Sequence, residues 1–490
     1  MNPPAYVSIG AFPDVARRAL KRLTELLGSR PGWLVGGALR QALLGEMVRD
    51  LDIAVSSDAL TLGKTLAREL PRASFVPLDE PRGICRVVWE IQLDIADLRA
   101  PGLAADLERR DFTVNALAAS LHDLVRRGSA SVEDATGGLE DLAARVIRPC
   151  GPGVIGDDPL RALRAVRLAM KPGWHLDPGA EVAIREAAPR VAAVSAERVR
   201  DELAAILAAP RAASGLRLLD RLSVLTVLLP ESRAMRETSQ PEPHRFDVWE
   251  HSLRAVDAAD ELLPHADALG LGGPEMAVHL GEALGDRLTR RETLKLAALL
   301  HDVAKPQTKT VEGGRIRFFG HDTVGADRAA DIALRWRLSR RASLVVSTLV
   351  RHHLRPMHLA NAGGVTRRAR YRFFRDLGNE ARDLVLLSLA DAAAVRGDSP
   401  LAVWEGTGGA ILRDLMRSAG GEEQAAGAPP LLRGEDVMAA FGLAPGPTVG
   451  ILLARAREAQ ALGAVASRAE AIEYLRRFGG PSLDTSSDGP

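Results

Sequence analysis

The chain has 490 residues, 46% of them hydrophobic and 26% charged, with a formal net charge of +1 at pH 7. That length is too great for one ordinary domain and predicts three or four, and the near-zero charge excludes any argument for a nucleic-acid partner from the whole-chain balance. The two cysteines, Cys85 and Cys150, exclude a disulfide framework, lack metal-site spacing and predict a cytoplasmic protein. MNPPAYVSIGAFPD has no basic segment leading into an apolar core, and no run of about 18 apolar residues occurs, so neither a signal peptide nor a membrane span is expected.

Residues 12–28 read as an amphipathic helix ending at Gly28. GWLVGGALRQALLG then places a glycine pair, Gly36 and Gly37, at a turn entering a helix. RDLDIAV reads as a strand. A strand has period two, so Asp50 and Asp52 point to the same side. Two such carboxylates repel unless a cation sits between them. Magnesium suits carboxylate oxygens and keeps a nucleotide phosphate as a further ligand. The glycines would let backbone N–H groups approach a triphosphate. Taken alone, Asp-x-Asp marks an acid-rich surface turn after a helix more often than a metal site.

DALTLGKTLAREL reads as a helix. Lys64 and Thr65 follow Gly63, but Asp58 stands where a P-loop needs glycine, which excludes a Walker site. ICRVVWEIQLDIADL gives one or two strands and sets Asp94 beside the strand of Asp50 and Asp52, with Asp97 as the competing carboxylate. Three carboxylates together are what a two-metal site requires.

In RRDFTVNALA, residues 109–118, Arg109 and Arg110 are suited to phosphate. Asp111 and Asn115 share a face if a helix starts here, with Asp111 as its N-cap or as an acceptor for ribose hydroxyls. In GDDPLRALRAVRLA, residues 156–169, Pro159 fits a first helical turn, and Arg161, Arg164 and Arg167 lie along one side. Asp158 and Arg161 offer an acceptor and a forked donor one turn apart. Adenine and cytosine both present an amino donor beside a ring-nitrogen acceptor, so this pair suits ATP and CTP and rejects GTP and UTP. A capped helix with exposed arginines accounts for either segment by itself.

From about residue 155 the pattern is helical. Residues 231–247 read as a linker, 264–292 as a glycine-rich excursion and 418–430 as a flexible, low-complexity break before a helical block at 431–479. Of 11 histidines, His251, His301, His321, His352 and His353 fall in one window, with Asp302 following His301 and Asp391 closing the set. Nitrogen and oxygen ligands on helices suit one or two transition-metal ions. From Ile332 to Arg375 there are eleven arginines and no Asp or Glu, with Trp336, Tyr371, Phe373 and Phe374 interleaved, which reads as an RNA-contacting patch.

The glycine pair, Asp50-x-Asp52, RRDFTVNA and DDPLRALRAVR, in this order, resemble the class II tRNA nucleotidyltransferase / bacterial poly(A) polymerase family. ERVRDE, Glu197 to Glu202, resembles the family's Glu-Arg motif that buttresses the nucleotide pocket, and DATGGLEDLAARVIRP resembles its strand–turn segment. The histidine window resembles the HD phosphohydrolase domain. The resemblance implies Mg2+ on Asp50 and Asp52, with Asp94 as the third catalytic carboxylate. It implies nucleotide binding by Gly36, Gly37, Arg40, Arg110, Asp111, Asn115, Asp157, Asp158, Arg161 and Arg164. It implies a divalent transition metal (Ni, Mn, Co or Fe) on His251, His301, Asp302, His321, His352 and Asp391. Gln41 departs from the family, which often has Asp after this arginine, and Gly156 departs from its more usual Glu-Asp start.

The expected fold is multidomain α+β. A small mixed-sheet head (1–150) precedes a helical neck (151–235), an all-α HD domain (240–415) and a helical RNA-binding tail (430–480). The expected function is addition of CCA, or part of it, to tRNA 3′ ends from CTP and ATP. The alternatives are a poly(A) polymerase and an HD-type phosphohydrolase acting on RNA ends with an inactive transferase head. No protein partner is expected.

Overall fold

The computed structural model describes residues 5–266, 274–361 and 365–478. It divides into two compact units, Met1–Glu202 with Arg217–Leu228, and Leu203–Leu216 with Leu229–Pro490.

The first unit is built on β1 (Tyr6–Ser8), α1 (Asp14–Leu27), β2 (Gly32–Val35), α2 (Gly36–Leu43), β3 (Asp50–Val55), α3 (Ala59–Glu69), β4 (Ser74–Asp79), β5 (Ile84–Val88) and β6 (Gln92–Asp97). It continues through α4 (Leu103–Leu107), β7 (Leu117–Ser120), α5 (Leu121–Arg127), β8 (Ser129–Asp134) and α6 (Gly138–Ala144). β1 to β8 form one mixed sheet in the order β1-β8-β7-β2-β3-β6-β5-β4. Among its pairs β3–β6 alone is parallel, and α3, β4 and β5 make the crossover. Alternation builds β3: Leu51, Ile53 and Val55 are buried on one face, which leaves Asp50 and Asp52 on the other. Helix α1 buries Ala16, Leu20, Leu23 and Leu27 and packs against α3 and α5.

The sheet holds more than the strands expected at RDLDIAV and ICRVVWEIQLDIADL, because β1, β7 and β8 also join it. β7 reads LAAS, with no β-branched residue, so its strand character comes from pairing with β2 and β8 rather than from propensity. After it come the two-residue β9 (Val146–Ile147), α7 (Val154–Asp157), α8 (Arg161–Ala169), β10 (His175–Leu176), α9 (Pro178–Ala187), α10 (Ala196–Ala208), α11 (Ala212–Arg221) and α12 (Val224–Leu228).

Among the described residues the second unit, which includes Leu203–Leu216 from α10 and α11, is helical apart from two short hairpins. Its further elements begin with α13 (Ser232–Arg236), α14 (Val248–Leu262), α15 (Pro274–Leu280), β11 (Ala283–Gly285), β12 (Leu288–Thr289), α16 (Arg290–Leu300) and α17 (Lys305–Thr308). They continue with β13 (Thr310–Glu312), β14 (Arg315–Arg317), α18 (His321–Arg335), α19 (Arg340–His352), α20 (Arg355–Asn361), α21 (Arg367–Leu377) and α22 (Glu380–Arg396). The last are α23 (Pro400–Glu405), α24 (Ala410–Gly427), α25 (Gly434–Phe441), α26 (Pro447–Ala461) and α27 (Arg468–Phe478).

Two expected breaks are structured. Residues 231–247 are not an open linker: α13 lies there, with Ser232 and Met235 fully buried. The 418–430 segment is largely helix, since α24 runs to Gly427; its Glu, Gln and Ala are good helix formers that outweigh the glycines. Of the expected excursion at 264–292, residues 267–273 lie outside the described residues, and the rest forms α15, the β11–β12 hairpin and the start of α16.

Candidate active site

β3 and β6 run in register, so Asp52 lies opposite Asp94 and Asp50 opposite Gln92. The sheet thus gathers Asp50, Asp52 and Asp94, as the sequence predicts. Asp97 goes elsewhere: its Oδ1 accepts from the Ala59 amide at the start of α3, 2.9 Å away. Asp94 carries a bidentate ion pair with Arg86 on β5, at 2.7 and 2.8 Å. Among the described residues Asp52 has no such ion pair. Burial, then the charge of Asp50 and that of Asp94, push its pKa from 3.8 to about 6, against the opposing hydrogen bond from Gly37. Carboxylates that resist ionising together form a donor set that suits a hard divalent cation.

The glycine pair is fitted to Asp52. Gly36 has φ +69°, and a Cβ there would stand 2.6 Å from Asp52 Oδ2. The Gly37 amide donates to that oxygen at 2.9 Å. This N–H is therefore committed to the carboxylate, where the sequence reading assigned it to a triphosphate.

Gly36, Gly37, Asp52, Arg110, Asp111 and Asn115 face a cavity of about 140 Å3, together with Arg99, Arg161 and Arg164. Arg99 and Arg161 also line a neighbouring cavity of about 880 Å3, into which Asp157 and Asp158 face. Asp111 does not cap a helix. The chain after it is extended and enters a short 3-10 turn at Thr113–Asn115. Asp111 Oδ1 accepts from the Phe112 amide and Asn115 Nδ2, and Arg164 Nη2 lies 3.0 Å from Oδ2. Burial would raise its pKa, but the Arg164 charge and these hydrogen bonds outweigh burial and hold it below the ordinary value. Arg40, expected as a nucleotide contact, is buried and donates to Asn115 Oδ1 instead. It braces a residue of the cavity without lining it.

Asp158 and Arg161 lie side by side but do not pair with each other. Arg198 of ERVRDE donates to Asp158 Oδ2 at 2.7 Å, and Arg161 donates to the Val154 carbonyl at 3.0 Å. Glu202 of the same motif accepts from Arg167 at 2.7 Å. The sequence reading missed Arg86, Arg99 and Asp106 in this region. The one available signal was the spacing of four between Asp106 and Arg110.

The second unit holds two ligand triads, His251–His301–Asp391 and Asp302–His321–His353, all buried. His251 Nε2 lies 3.2 Å from His301 Nε2 and 3.0 Å from Asp391 Oδ1, and His321 Nε2 lies 3.2 Å from His353 Nε2. The far nitrogens are oriented by the backbone. Nδ1 of His301, His321 and His353 lies 2.8, 2.7 and 2.7 Å from the carbonyls of Ala298, Phe318 and Val350. A donating Nδ1–H leaves each Nε2 lone pair facing the cluster, which is how metal-ligating histidines are held. Although burial opposes it, Asp302 and then Asp391 raise His301 to about 10, so without a metal a proton occupies its Nε2, and a metal cation would displace that proton to reach the lone pair. This donor set fits divalent metal ions.

His352 is not part of the cluster. It ends α19 half-buried, while the next residue, His353, is 2% exposed and supplies the nitrogen. Successive helical side chains point about 100° apart, so only one of two adjacent histidines faces inward.

The arginine-rich run also reads differently in three dimensions. Trp336, Tyr371, Phe373 and Phe374 are buried in the core and offer no stacking faces. The counter-charges come from other segments: Arg335 pairs with Glu231, Arg341 with Glu380, Arg351 with Asp327, Arg355 with Asp376, and Arg370 with Asp414. Glu458 of α26 takes both Arg368 and Arg372.

A mixed sheet that sets an Asp-x-Asp strand against a third carboxylate beside an arginine-lined cavity defines a nucleotidyltransferase head. Comparison with known proteins agrees. Residues 32–148 match the poly A polymerase head domain, 173–235 the probable RNA and SrmB-binding site of polymerase A, and 248–395 the HD domain. The A-adding tRNA nucleotidyltransferase of Deinococcus radiodurans is 38% identical over 453 residues, covering 91% of this chain and 95% of that one. The CC-adding tRNA nucleotidyltransferase of Thermus thermophilus is 37% identical, covering 93% and 95%. The Thermotoga maritima CCA-adding enzyme, solved in complex with tRNA, shares the fold with TM-score 0.60 at 18% identity, over 96% and 99% of the two chains. The chain belongs to the tRNA nucleotidyltransferase family. No helix among the described residues is long and apolar enough to cross a membrane.

Proposed function

We propose that this chain adds CCA, or part of it, to tRNA 3′ ends without a template, using CTP and ATP, in the cytoplasm where those substrates are. The observation that carries the reading is the in-register pair Asp52 and Asp94, with Asp50 beside them, of which Asp52 lines a cavity rimmed by arginines. The 3′-hydroxyl oxygen of the RNA attacks the α-phosphorus, the bond to the bridging oxygen of the β-phosphate breaks, and pyrophosphate leaves. Asp50, Asp52 and Asp94 would hold Mg2+, which supplies charge neutralisation at the phosphate and eases ionisation of the attacking hydroxyl.

The remaining work falls to the chain's own groups. Gly36 keeps side-chain bulk away from Asp52. Arg110 faces the cavity and takes phosphate oxygens. Asp111, held ionised by Arg164, accepts from ribose hydroxyls, and Asn115 donates there. Asp158, steadied by Arg198, accepts from the base amino group, while Arg161 donates to the ring nitrogen beside it. Asp157 and Arg164 support that edge.

The test is to incubate the protein with tRNA ending at the discriminator base, with each nucleotide separately and with all four, and to sequence the products. Ends carrying C, CC, A or CCA support the reading and say which part is added. Long A tails point to a poly(A) polymerase, and no addition rejects transfer.

The six-ligand histidine–aspartate cluster favours a second activity, metal-dependent phosphoester hydrolysis at RNA ends, with Ni, Mn, Co or Fe on His251, His301, Asp302, His321, His353 and Asp391. Hydrolysis of a 2′,3′-cyclic phosphate by wild type, lost in His301→Ala while nucleotide addition persists, would assign it. No hydrolysis with any of these metals would leave the cluster a structural element.

A further inference from the structure

Asp106 in α4 is a carboxylate at 1% exposure that no reading above uses. Its two oxygens serve two different arginines. Oδ1 accepts from the Arg99 amide at 2.9 Å and from Arg99 Nε at 3.4 Å; Oδ2 accepts from Arg110 Nη2 at 3.0 Å and Arg110 Nε at 3.3 Å. Both arginines line the cavity of about 140 Å3 that also holds Gly36, Gly37 and Asp52.

Burying a carboxylate is costly unless a cation compensates it, and one arginine is enough for that. The second guanidinium repels the first, and the single carboxylate neutralises only one of the two. The trio keeps one net positive charge aimed at the cavity. Neither terminal nitrogen of Arg99 makes a hydrogen bond to protein among the described residues, and Arg110 Nη1 makes none either. Paired forks with unused N–H groups beside a carboxylate site are suited to the oxygens of a polyphosphate.

We propose that Arg99 is a second phosphate-binding arginine and that Asp106 is the positioning residue that sets Arg99 and Arg110 as one clamp on the β- and γ-phosphates of the incoming nucleotide. The proposal rests on the nucleotide-binding reading above. Its distinguishing property is that it concerns the phosphates alone and leaves the base and ribose contacts untouched.

The test measures equilibrium binding of CTP, ATP, CMP and AMP to full-length wild type, Arg99→Gln, Asp106→Asn and Asp106→Glu, with KM and kcat for addition. Losing charge-assisted hydrogen bonds should weaken triphosphate binding about tenfold or more in Arg99→Gln and Asp106→Asn. Monophosphate binding and the KM for tRNA should stay as in wild type, and Asp106→Glu should recover part of the loss. The effects of Arg99→Gln and Asp106→Asn should fall well short of adding in the double variant. Equal losses for mono- and triphosphates, or a lowered Tm with unchanged triphosphate affinity, would overturn the clamp. If wild type binds triphosphates but transfers nothing, the proposed function falls while the clamp is still judged by these affinities. If wild type binds no triphosphate, both fall.

Discussion

Asp52 and Asp94 face each other across the one parallel strand pair of the head sheet, yet only Asp94 carries a guanidinium, the two-pronged Arg86. The asymmetry leaves Asp52 to bear the repulsion of Asp50 and Asp94 in a partly buried setting, and its pKa is pushed up to about 6. Above that pH the ionised Asp52 calls for a cation. Below it, a proton competes for the same oxygens.

Divalent-cation binding to the head should therefore weaken as pH falls through about 6. One competing proton gives about tenfold per unit below that point. Titrating Mg2+ or Mn2+ binding between pH 5 and pH 8 checks it. Asp50→Asn removes a like charge, so the break should move to lower pH. A folded pKa raised above the unfolded one also means that the metal-free head loses stability as pH rises through about 6. Added Mg2+ should restore it.

Arg86→Gln leaves Asp94 without its partner and adds to the repulsion at Asp52. The pair is partly exposed, so the direct loss is modest, about 1 kcal/mol. The informative comparison is the Tm of the variant with chelator and with Mg2+: the deficit should be larger without the cation. An equal deficit in both would separate Arg86 from the carboxylate cluster.

Gly36→Ala places a methyl group against Asp52 Oδ2 at a residue with φ +69°. The left-handed backbone alone costs about 1–2 kcal/mol in an L-residue. Lower Tm together with lower kcat for nucleotide addition is expected. Gly45→Ala, also at positive φ but with open space around it, should lose stability without losing activity in the folded fraction.

His353→Ala should release metal from the second unit, whereas His352→Ala should not, as read by metal analysis of the purified proteins. The sequence showed two adjacent histidines, and the helical spacing of Val346, Leu349 and Val350 puts position 353 rather than 352 on the buried face of α19. The packing of α19 against α16, α18 and α22 turns that buried face toward the cluster.

Other misreadings come from partners distant in sequence. The strand DLDIAV was legible because β-branched and leucine side chains alternate with aspartates, and so was its alignment with the strand of Asp94. LAAS was not, since its strand state depends on its neighbours. The arginine run from 332 to 375 lacks acids in sequence, but Glu231, Glu380, Asp414 and Glu458 reach it from elsewhere in the chain. Its aromatics are core. Phe373→Ala should accordingly lower stability by about 3–5 kcal/mol, the usual cost of emptying a buried aromatic site. The folded fraction should keep its KM for tRNA. The family resemblance placed Arg40 among the nucleotide contacts; its partner in the structure, Asn115, is 75 residues away and was not legible from local sequence.

The most direct measurement is nucleotide addition to tRNA ending at the discriminator base, followed by end sequencing, in wild type, Asp52→Ala and His301→Ala. The account predicts ends extended by CCA or part of it in wild type and in His301→Ala, and unextended ends in Asp52→Ala of unchanged fold. Extension by Asp52→Ala at the wild-type rate, or loss of addition in His301→Ala alone, would contradict it.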